Sequence, residues 1–331
     1  MIVQLVIAFF VSFAVTAVAG LILLPVLRKM KAGQSIREDG PIWHKSKEGT
    51  PMMGGLMFIT GIFVTCLTVG YWGIVNKDFS HLFVLIFALI YAVIGFLDDY
   101  EKMKKKQNLG LSAIQKLLLQ LVVAIAFIFL LRLNGNLTPN LYVPFFNVTV
   151  IVNEVVYFIL AAFIIVGCVN AVNITDGIDG MATGVSIPVA LCYAAIAFIW
   201  GYEMLGVFAA ALAGGLVGFL VFNFHPAKVF MGDTGSMFLG GAVCAMAFAI
   251  DAPLILAPLG IIYVIETLSN IIQVTYFKAT HGKRVFKMAP IHHHFEMSGW
   301  SEYKIFWVFS TISAAFAVIS YFAVHMRYGG V

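Results

Sequence analysis

Acidic, amide and imidazole side chains gather in four short stretches, and each stretch lies beyond the end of a long apolar run. The stretches are GFLDDY at 95–100, NAVNITDGIDG at 170–180, FNFHPAKVFMGDTGS at 222–236 and MAPIHHHFE at 288–296. Carboxylate oxygens suit Mg²⁺, which takes few protein ligands and completes its shell with water and phosphate oxygens. The residue types therefore predict phosphoryl-group chemistry assisted by a divalent cation.

The neighbouring acids Asp98 and Asp99 directly follow an apolar run that is long enough to cross a membrane. A solvated helix end is the plain structural alternative, but a helix C-terminus disfavours acidic side chains. Ionisable residues at membrane spans are commonly functional. We therefore predict a catalytic role for both aspartates.

The stretch at 170–180 spaces Asn170, Asn173 and Asp176 three residues apart, which places them on one side of a continued helix. Asp179 follows and is expected to cap the next helix. Capping accounts for Asp179 but not for the three polar groups before it. The pattern therefore predicts a functional role for Asn173 and Asp176.

The stretch MGDTGS combines two glycines with Asp233, and Ser236 opens the next apolar run. Gly232 and Gly235 let backbone N–H groups approach a ligand, and a helix N-terminus favours phosphate. A helix N-cap is the structural alternative. Beside the other acidic stretches, this loop predicts that Asp233 binds Mg²⁺ next to a diphosphate.

The imidazoles of His292, His293 and His294 are adjacent in the chain. Neighbouring side chains point in different directions on a helix or a strand, so three in a row rarely bind one metal ion. We expect these histidines to bind phosphate or the edge of a uracil instead.

A polar stripe runs along the apolar segment at 254–278, where Glu266, Asn270 and Gln273 are spaced i, i+4 and i+7. A glutamate inside a membrane span predicts a functional site. Pro258 is expected to kink this helix and to open a groove that faces the lipid.

The elements that must position these residues are membrane helices. The chain is 61% hydrophobic and only 11% charged, whereas soluble domains carry roughly 25% charged residues. Apolar segments near the ~20 residues that cross a bilayer recur along the chain. They lie at 3–27, 52–73, 80–98, 113–132, 154–170, 181–200, 204–223, 236–250, 254–278 and 304–326. The sequence thus predicts an all-α polytopic membrane protein, a single domain over residues 1–331 built as a bundle of ten transmembrane helices.

The basic residues divide unequally between the two sides of this bundle. All but three of the 20 lysines and arginines fall in one set of alternating loops, and the exceptions are Lys77, Arg132 and Arg327. By the positive-inside rule, the richer side faces the cytoplasm. Both termini are therefore predicted to be periplasmic or extracellular, with the active site on the cytoplasmic face. The net charge of +4 requires no nucleic-acid partner.

Together with GTPMMGG at 49–55, the four stretches resemble the polyprenyl-phosphate N-acetylhexosamine-1-phosphate transferases. The resemblance covers the whole chain, and GTPMMGG and PIHHHFE are typical of the muramoyl-pentapeptide branch. It implies transfer of phospho-MurNAc-pentapeptide from its UDP conjugate to undecaprenyl phosphate, with Mg²⁺ as cofactor. The products are then lipid I and UMP, in the first membrane step of peptidoglycan synthesis. The implied location is the bacterial cell membrane among its lipids, and such a bundle is compatible with a homodimer.

The resemblance also implies roles for particular residues. Asp98, Asp99 and Asp233 match the family's essential aspartates, with Asp98 as the base toward the lipid phosphate. We group His292 with them as catalytic, and we expect Asp233 and Asp176 to bind Mg²⁺. The matching substrate-binding positions are Lys45, Thr50, Lys116, Asn173, Asp176, Asn223, Phe230, Gln273, His293 and His294. The residue patterns add Asn170, Asp179, Gly232, Ser236 and Glu266 as predicted substrate-binding residues.

Two other functions fit part of the pattern. An N-acetylglucosamine-1-phosphate transferase acts on the same lipid with a different nucleotide sugar, and GTPMMGG and PIHHHFE disfavour it by resemblance. A transporter or channel would use Glu266 and its stripe to line a path. Transporters bind their substrates near the membrane midplane, whereas most acids of this chain fall at one surface, which disfavours transport.

Overall fold

The structure is a computed structural model that describes residues 1–30, 47, 49–105, 107, 109–135 and 137–328. Lys45 lies outside the described residues. The helices are α1 Ile2–Lys29, α2 Gly55–Thr68, α3 Tyr71–Val75, α4 Ser80–Lys105, α5 Ala113–Leu133, α6 Glu154–Thr175, α7 Met181–Trp200, α8 Glu203–Asn223, α9 Gly232–Ala249, α10 Leu256–Leu259, α11 Ile261–Ala279, α12 Ile291–Glu296 and α13 Glu302–Tyr328. Two strands, β1 Asn140–Val143 and β2 Val148–Ile151, follow α5.

Seven helices in the described part of the chain are long and apolar enough to cross a membrane, namely α1, α4, α5, α6, α7, α8 and α13. A bent pair of helices after α9 adds an eighth span if it is counted as one. Helices also form at the two other predicted segments, but α2 has only 14 residues and α9 starts with the polar sequence GDTGS. The chain is thus a mostly helical, multi-pass membrane protein, while the count of ten spans and the placement of the termini stay predictions.

The predicted span at 254–278 is sharply bent. Pro253–Leu259 and Ile261–Ala279 meet at an angle of 81°. This bend confirms the prediction of a kink near Pro258. Proline has no backbone N–H, so it cannot donate the hydrogen bond that continues a straight helix. The longer arm, α11, carries the predicted polar stripe.

The prediction of an all-α chain needs one correction, because residues 140–151 form a β-hairpin. β1 pairs with β2 in antiparallel register, with Tyr142 opposite Thr149. The β2 sequence VTVI is rich in β-branched residues, which favour an extended backbone. The Tyr142 hydroxyl donates a hydrogen bond to the carbonyl oxygen of Ala323 at 3.0 Å, which joins the hairpin to α13.

The centre of the bundle is formed by α8 and α9, which are buried along most of their length. In contrast, α1 and α5 expose many large apolar side chains, and apolar surface of this extent suits contact with lipid. α9 packs against α4 and α6. Gly95 of α4 lies so close to the backbone of Asp233 that a Cβ would collide with it. This packing places the start of α9 between the polar ends of α4 and α6.

Candidate active site

Asp98 and Asp99 lie inside α4, which continues to Lys105 rather than ending at the acids. Only 2% of the surface of each aspartate is exposed. The alternative of a solvated helix end is therefore wrong. A buried carboxylate needs cationic or hydrogen-bonding partners, and the two aspartates have different sets of them.

Asp99 binds the N-terminus of α9. One of its carboxylate oxygens accepts the backbone N–H of Asp233 at 3.1 Å, and the other accepts the N–H and the hydroxyl of Thr234 at 2.9 and 2.7 Å. A helix N-terminus presents unsatisfied N–H groups and a partial positive charge, so a carboxylate is stabilised there. Gly232, at φ 68°, makes room for this contact, since a Cβ would lie 2.6 Å from an Asp99 oxygen. Asp99 thus fixes the position of Asp233.

Two lysine ammonium groups bridge Asp98 and Asp233. Lys102 Nζ lies 2.6 Å from Asp98 Oδ2 and 2.7 Å from Asp233 Oδ2. Lys116 Nζ lies 2.7 Å from the same Asp233 oxygen and 3.6 Å from Asp98. Lys116 is a predicted site residue, whereas Lys102 is not. Its i, i+4 spacing from Asp98 on one helix is the signal that could have identified it.

Three carboxylates converge at this point, which we call the aspartate centre (Asp98, Asp99 and Asp233). One ligand oxygen from each lies within 4.8 Å of the others. Anionic oxygen ligands at this separation fit a divalent cation such as Mg²⁺. Among the described residues Asp176 does not belong to this group, so its assignment as a metal ligand stays a prediction.

Asn173 and Ser236 hold the Asp233 side chain in place. The amide nitrogen of Asn173 donates to Asp233 Oδ1 at 2.6 Å and to Ser236 Oγ at 2.7 Å. The Ser236 hydroxyl donates in turn to the carbonyl oxygen of Gly232 at 3.1 Å. Three predicted substrate-binding residues therefore lie in one hydrogen-bonded chain beside the aspartate centre.

Asp176 follows the last residue of α6 and interacts electrostatically with nearby carboxylates. Burial raises the pKa of Asp176 to about 8, and the negative charges of Asp233, Asp99 and Asp179 add to this effect. Acids that share a site disfavour one another's ionised form, whereas a bound cation favours it. Negative charge is therefore concentrated around the start of α9.

Asn170 lies one turn before Asn173 on α6 and has other partners. Its amide nitrogen donates to Gln120 Oε1 at 2.6 Å and to the carbonyl oxygen of Val166 at 2.8 Å. Gln120 is buried on α5, so the pair joins two helices. Within the described part of the chain these contacts lead away from the aspartate centre, and the role of Asn170 in binding stays a prediction.

Asp179 does not cap the next helix, so this prediction is wrong. The N-cap residue of α7 is Gly180, at φ 73°, and no side chain bonds to the helix there. Asp179 instead accepts hydrogen bonds from Lys47 Nζ at 2.7 Å and from the Ala227 N–H at 2.9 Å, and it pairs with His225 Nδ1 at 2.9 Å. These contacts draw three loops together.

Glu302, at the start of α13, completes a group that we call the loop cluster (Lys47, Asp179, His225 and Glu302). Its carboxylate lies 2.7 Å from Lys47 Nζ and 3.4 Å from His225 Nδ1. Burial alone would raise the pKa of Asp179, but the Lys47 ammonium and the hydrogen bonds from Ala227 and His225 hold that pKa below its usual range. The two acids and His225 have metal-ligand spacing, but Lys47 supplies the cation. Lys47, His225 and Glu302 are not among the predicted site residues, because no local spacing signals contacts this distant in the chain.

Asn223 is buried at the end of α8 and is bonded on both sides of its amide. It accepts the Thr183 hydroxyl at 2.8 Å and donates to the carbonyl oxygen of Val229 at 3.0 Å. It therefore shapes the loop that leads to Asp233.

Phe230 lies next to the segment that carries Thr50. Its N–H donates to the carbonyl oxygen of Pro51 at 2.9 Å, and its carbonyl oxygen accepts the Gly54 N–H at 2.8 Å. Both Phe230 and Thr50 keep part of their surface exposed. A partly exposed aromatic residue at this position suits stacking with a base.

Gln273 fastens the loop that follows α11. Its side-chain oxygen accepts the N–H groups of Val285 and Phe286, both at 3.0 Å, and its amide nitrogen donates to the Phe286 carbonyl oxygen at 3.0 Å. The predicted pocket residue thus holds the start of the segment that leads to the histidines.

The three adjacent histidines have three different partners. His292 Nδ1 lies 2.8 Å from Glu266 Oε2, and His293 Nδ1 lies 2.6 Å from Glu296 Oε2. His294 Nδ1 accepts a backbone N–H at 3.1 Å. The three imidazoles bond to different groups, although the His292 and His293 rings lie close together, with centroids 4.1 Å apart. Glu266 and His292, both predicted site residues, form a buried pair.

Comparisons with known proteins give a consistent result. Residues 81–251 match the family described as glycosyl transferase family 4. A phospho-N-acetylmuramoyl-pentapeptide-transferase of Caldanaerobacter subterraneus subsp. tengcongensis is 46% identical over 324 residues, which cover 98% of this chain and 99% of the relative. A protein of the same name from Clostridium botulinum (strain Alaska E43 / Type E3) is 47% identical over 319 residues, 96% of this chain and 95% of the relative. One from Listeria monocytogenes serotype 4b (strain CLIP80459) is 43% identical over 318 residues, 96% and 97%.

Proposed function

The chain belongs to the phospho-N-acetylmuramoyl-pentapeptide transferase family, within glycosyl transferase family 4, and from this premise we propose its reaction. The protein transfers phospho-MurNAc-pentapeptide from its UDP conjugate to undecaprenyl phosphate, which forms lipid I and releases UMP. This is the first membrane step of peptidoglycan synthesis. The observation that supports it best is the aspartate centre at the polar ends of apolar helices. A lipid phosphate and a soluble nucleotide meet at that level of a membrane.

The aspartate centre is the proposed site of Mg²⁺. Asp233 is the main proposed ligand because Asp99 already uses both oxygens on the start of α9. Asp98 lies beside it, and Asp176 is proposed to complete the anionic surroundings. When bound, Mg²⁺ neutralises the diphosphate of the donor and stabilises the UMP leaving group.

Asp98 is the proposed base toward the lipid phosphate. Its carboxylate takes the proton of the undecaprenyl phosphate, or holds the ionised form in line, so that a phosphate oxygen attacks the sugar-linked phosphorus of the donor. A new P–O bond forms there, and the bond to UMP breaks with the electron pair leaving on UMP. Lys102 and Lys116, both within 2.7 Å of Asp233, are positioned to offset phosphate charge.

The donor is proposed to occupy the side of the centre that faces Phe230 and Thr50. The partly exposed Phe230 side chain is proposed to stack on uracil. Asn173, Lys116 and the histidine segment flank the path from this ring to the aspartate centre in the proposed pocket. The positive-inside rule supports an active site on the cytoplasmic side of a bacterial cell membrane.

UMP release by the purified protein in detergent tests the proposal. The mixture contains UDP-MurNAc-pentapeptide and undecaprenyl phosphate, with and without Mg²⁺, and UDP-N-acetylglucosamine serves as the parallel donor. We expect UMP from the muramoyl donor alone, dependent on both the lipid and Mg²⁺. UMP from the glucosamine donor alone would assign the protein to the sister activity. No UMP from either donor, with a folded protein, would overturn the proposal.

A further inference from the structure

Glu266 and His292 form a hydrogen-bonded contact in the interior of the protein. Glu266 lies on α11, His292 lies on α12, and neither residue exposes any surface. The carboxylate Oε2 and the imidazole Nδ1 are 2.8 Å apart. Removing a carboxylate and an imidazole from water is costly, and such a pair is retained where it serves more than stability.

The two outer atoms of this pair lack partners. Glu266 Oε1 and His292 Nε2 are both buried, and neither has a hydrogen-bond partner among the described residues. Buried polar atoms in native proteins are nearly always bonded, so an exception requires an explanation. Because Nδ1 is engaged by Glu266, Nε2 is the ring atom of His292 that is left for another contact.

His292 Nε2 faces the turn that carries Asp176. A Cβ added to Gly177 would collide with Nε2 and with the neighbouring ring carbon, so the imidazole rests directly on this glycine. Gly177 itself is exposed on its outer side. A small shift of this one turn therefore opens Nε2 to a molecule bound beside Asp176.

We propose that Glu266 is a positioning residue, which holds the His292 ring so that Nε2 contacts the nucleotide–sugar donor at the Asp176–Gly177 turn. This inference rests on the proposed function. The bond to Glu266 fixes the orientation of the ring and determines which ring nitrogen carries a proton. In a histidine, the hydrogen bond made by one nitrogen sets the role of the other. Glu266 thus acts through His292 and touches no reacting atom.

A double-mutant cycle tests this assignment with purified protein, UDP-MurNAc-pentapeptide and undecaprenyl phosphate. We expect Glu266→Ala and His292→Ala each to lower kcat/KM for the donor by about 100-fold, within the range for catalytic histidines. The double variant should lose no more than about threefold beyond His292→Ala, because residues that act as one unit are not additive. The KM for the lipid should stay unchanged in all three.

Glu266→Gln provides the conservative comparison, since an amide oxygen still accepts a hydrogen bond from Nδ1–H. It should recover at least about tenfold of the loss in Glu266→Ala if orientation is the role of Glu266. The same variant replaces Glu266→Ala in the cycle if the alanine variant does not fold. Ser269→Ala is the matched control, because Ser269 is buried on the same helix and bonds only to the Glu266 backbone oxygen in the described contacts. We expect it to keep wild-type activity.

Additive losses in the double variant, or wild-type kcat/KM in a folded Glu266→Ala protein, would overturn the inference. An equal rise in the KM values for the donor and the lipid would also do so, because it would indicate general disruption of the fold. An inactive wild-type protein would instead contradict the proposed function. Calorimetry with UDP-MurNAc-pentapeptide would then still show whether Glu266→Ala and His292→Ala weaken donor binding through one shared contact.

Discussion

Carboxylates at the two ends of the helix bundle are stabilised in different ways. At the hairpin end, Glu154 lies 2.6 Å from Arg132, and both side chains are largely exposed. Asp251 accepts the Thr138 hydroxyl at 3.0 Å and lies 3.3 Å from Arg327. Each of these two acids has its own cationic partner. Such pairs hold local structure together, and the exposed one contributes little to stability.

At the other end, acids outnumber the cations that contact them. Asp98, Asp99 and Asp233 lie within one small volume, and Lys102 and Lys116 share the same Asp233 oxygen. Burial, together with the negative charges of Asp233, Asp99 and Asp179, raises the pKa of Asp176 to about 8. Uncompensated negative charge of this kind is costly unless it binds something. The hairpin end of the bundle is therefore a structural end, where paired acids hold the fold, and the end with the aspartate centre is the chemical end.

The largest expected effect comes from changing one acid at each end. We predict that Asp233→Asn lowers UMP release by at least about 1,000-fold, because it removes the carboxylate that two lysines and Asn173 hold in place. Asp251→Asn is the matched control at the hairpin end and should stay close to wild type. Mn²⁺ binding should be lost in the first variant only. Similar losses in both variants would contradict the comparison.

Asp98→Asn separates chemistry from binding at the chemical end. We expect turnover to fall by roughly 100-fold to 10,000-fold, the range for loss of a general base. Metal and nucleotide binding should persist, because Asp233 and the Phe230 face are unchanged. Calorimetry with UDP-MurNAc-pentapeptide, beside the UMP assay, checks both points. Normal turnover by a folded Asp98→Asn protein would remove the base assignment.

Lys102→Met tests whether the bridging ammonium belongs to the chemistry. Its removal leaves Asp98 and Asp233 with less positive charge, so the Mg²⁺ concentration for half-maximal activity should fall while kcat drops by about tenfold. Lys105→Met is the control, since Lys105 pairs with Glu101 on the surface of the same helix at 2.7 Å. A Mg²⁺ titration of UMP release distinguishes them. An unchanged titration curve for Lys102→Met would assign that lysine to structure alone.

The smallest effect on chemistry is expected in the loop cluster. Asp179→Asn should lower the thermal midpoint by roughly 5 °C at pH 7, because it breaks a buried ion pair. The pKa of Asp179 is depressed by its partners, so its stabilisation is present above the unfolded value of about 3.9 and is lost as the pH falls below it. The difference between variant and wild type should therefore shrink in acid. A difference that does not shrink between pH 7 and pH 3 would contradict this account.

Local sequence patterns predicted much of the site because its residues fall in short motifs at helix ends. Asp98, Asp99 and Asp233 were identifiable from unusual acids beside apolar runs, and the structure brings them together. Lys102 was also identifiable from the sequence, because it lies four residues after Asp98 on the same helix. The bend at residues 253–261 followed from proline chemistry.

Contacts between distant parts of the chain were not predictable in the same way. Asp179 was expected to act locally as a cap, but tertiary partners more than 40 positions away take its carboxylate. Glu266 and His292 were each singled out, yet the bend and loop that pair them leave no periodic signal. The hairpin was missed because its residues lie between two predicted spans and were assigned to no element.

The loop cluster has a consequence for the order in which the protein matures. Lys47 and Glu302 are separated by 255 positions, and a ribosome delivers the first long before the second. Chains generally fold from the N-terminal part during synthesis, so the last helix closes the contact around Asp179 only when translation is nearly complete. A nascent chain arrested before Glu302 therefore lacks the carboxylate that contacts Lys47 and His225, so the loop cluster is complete only when nearly the whole chain has been made.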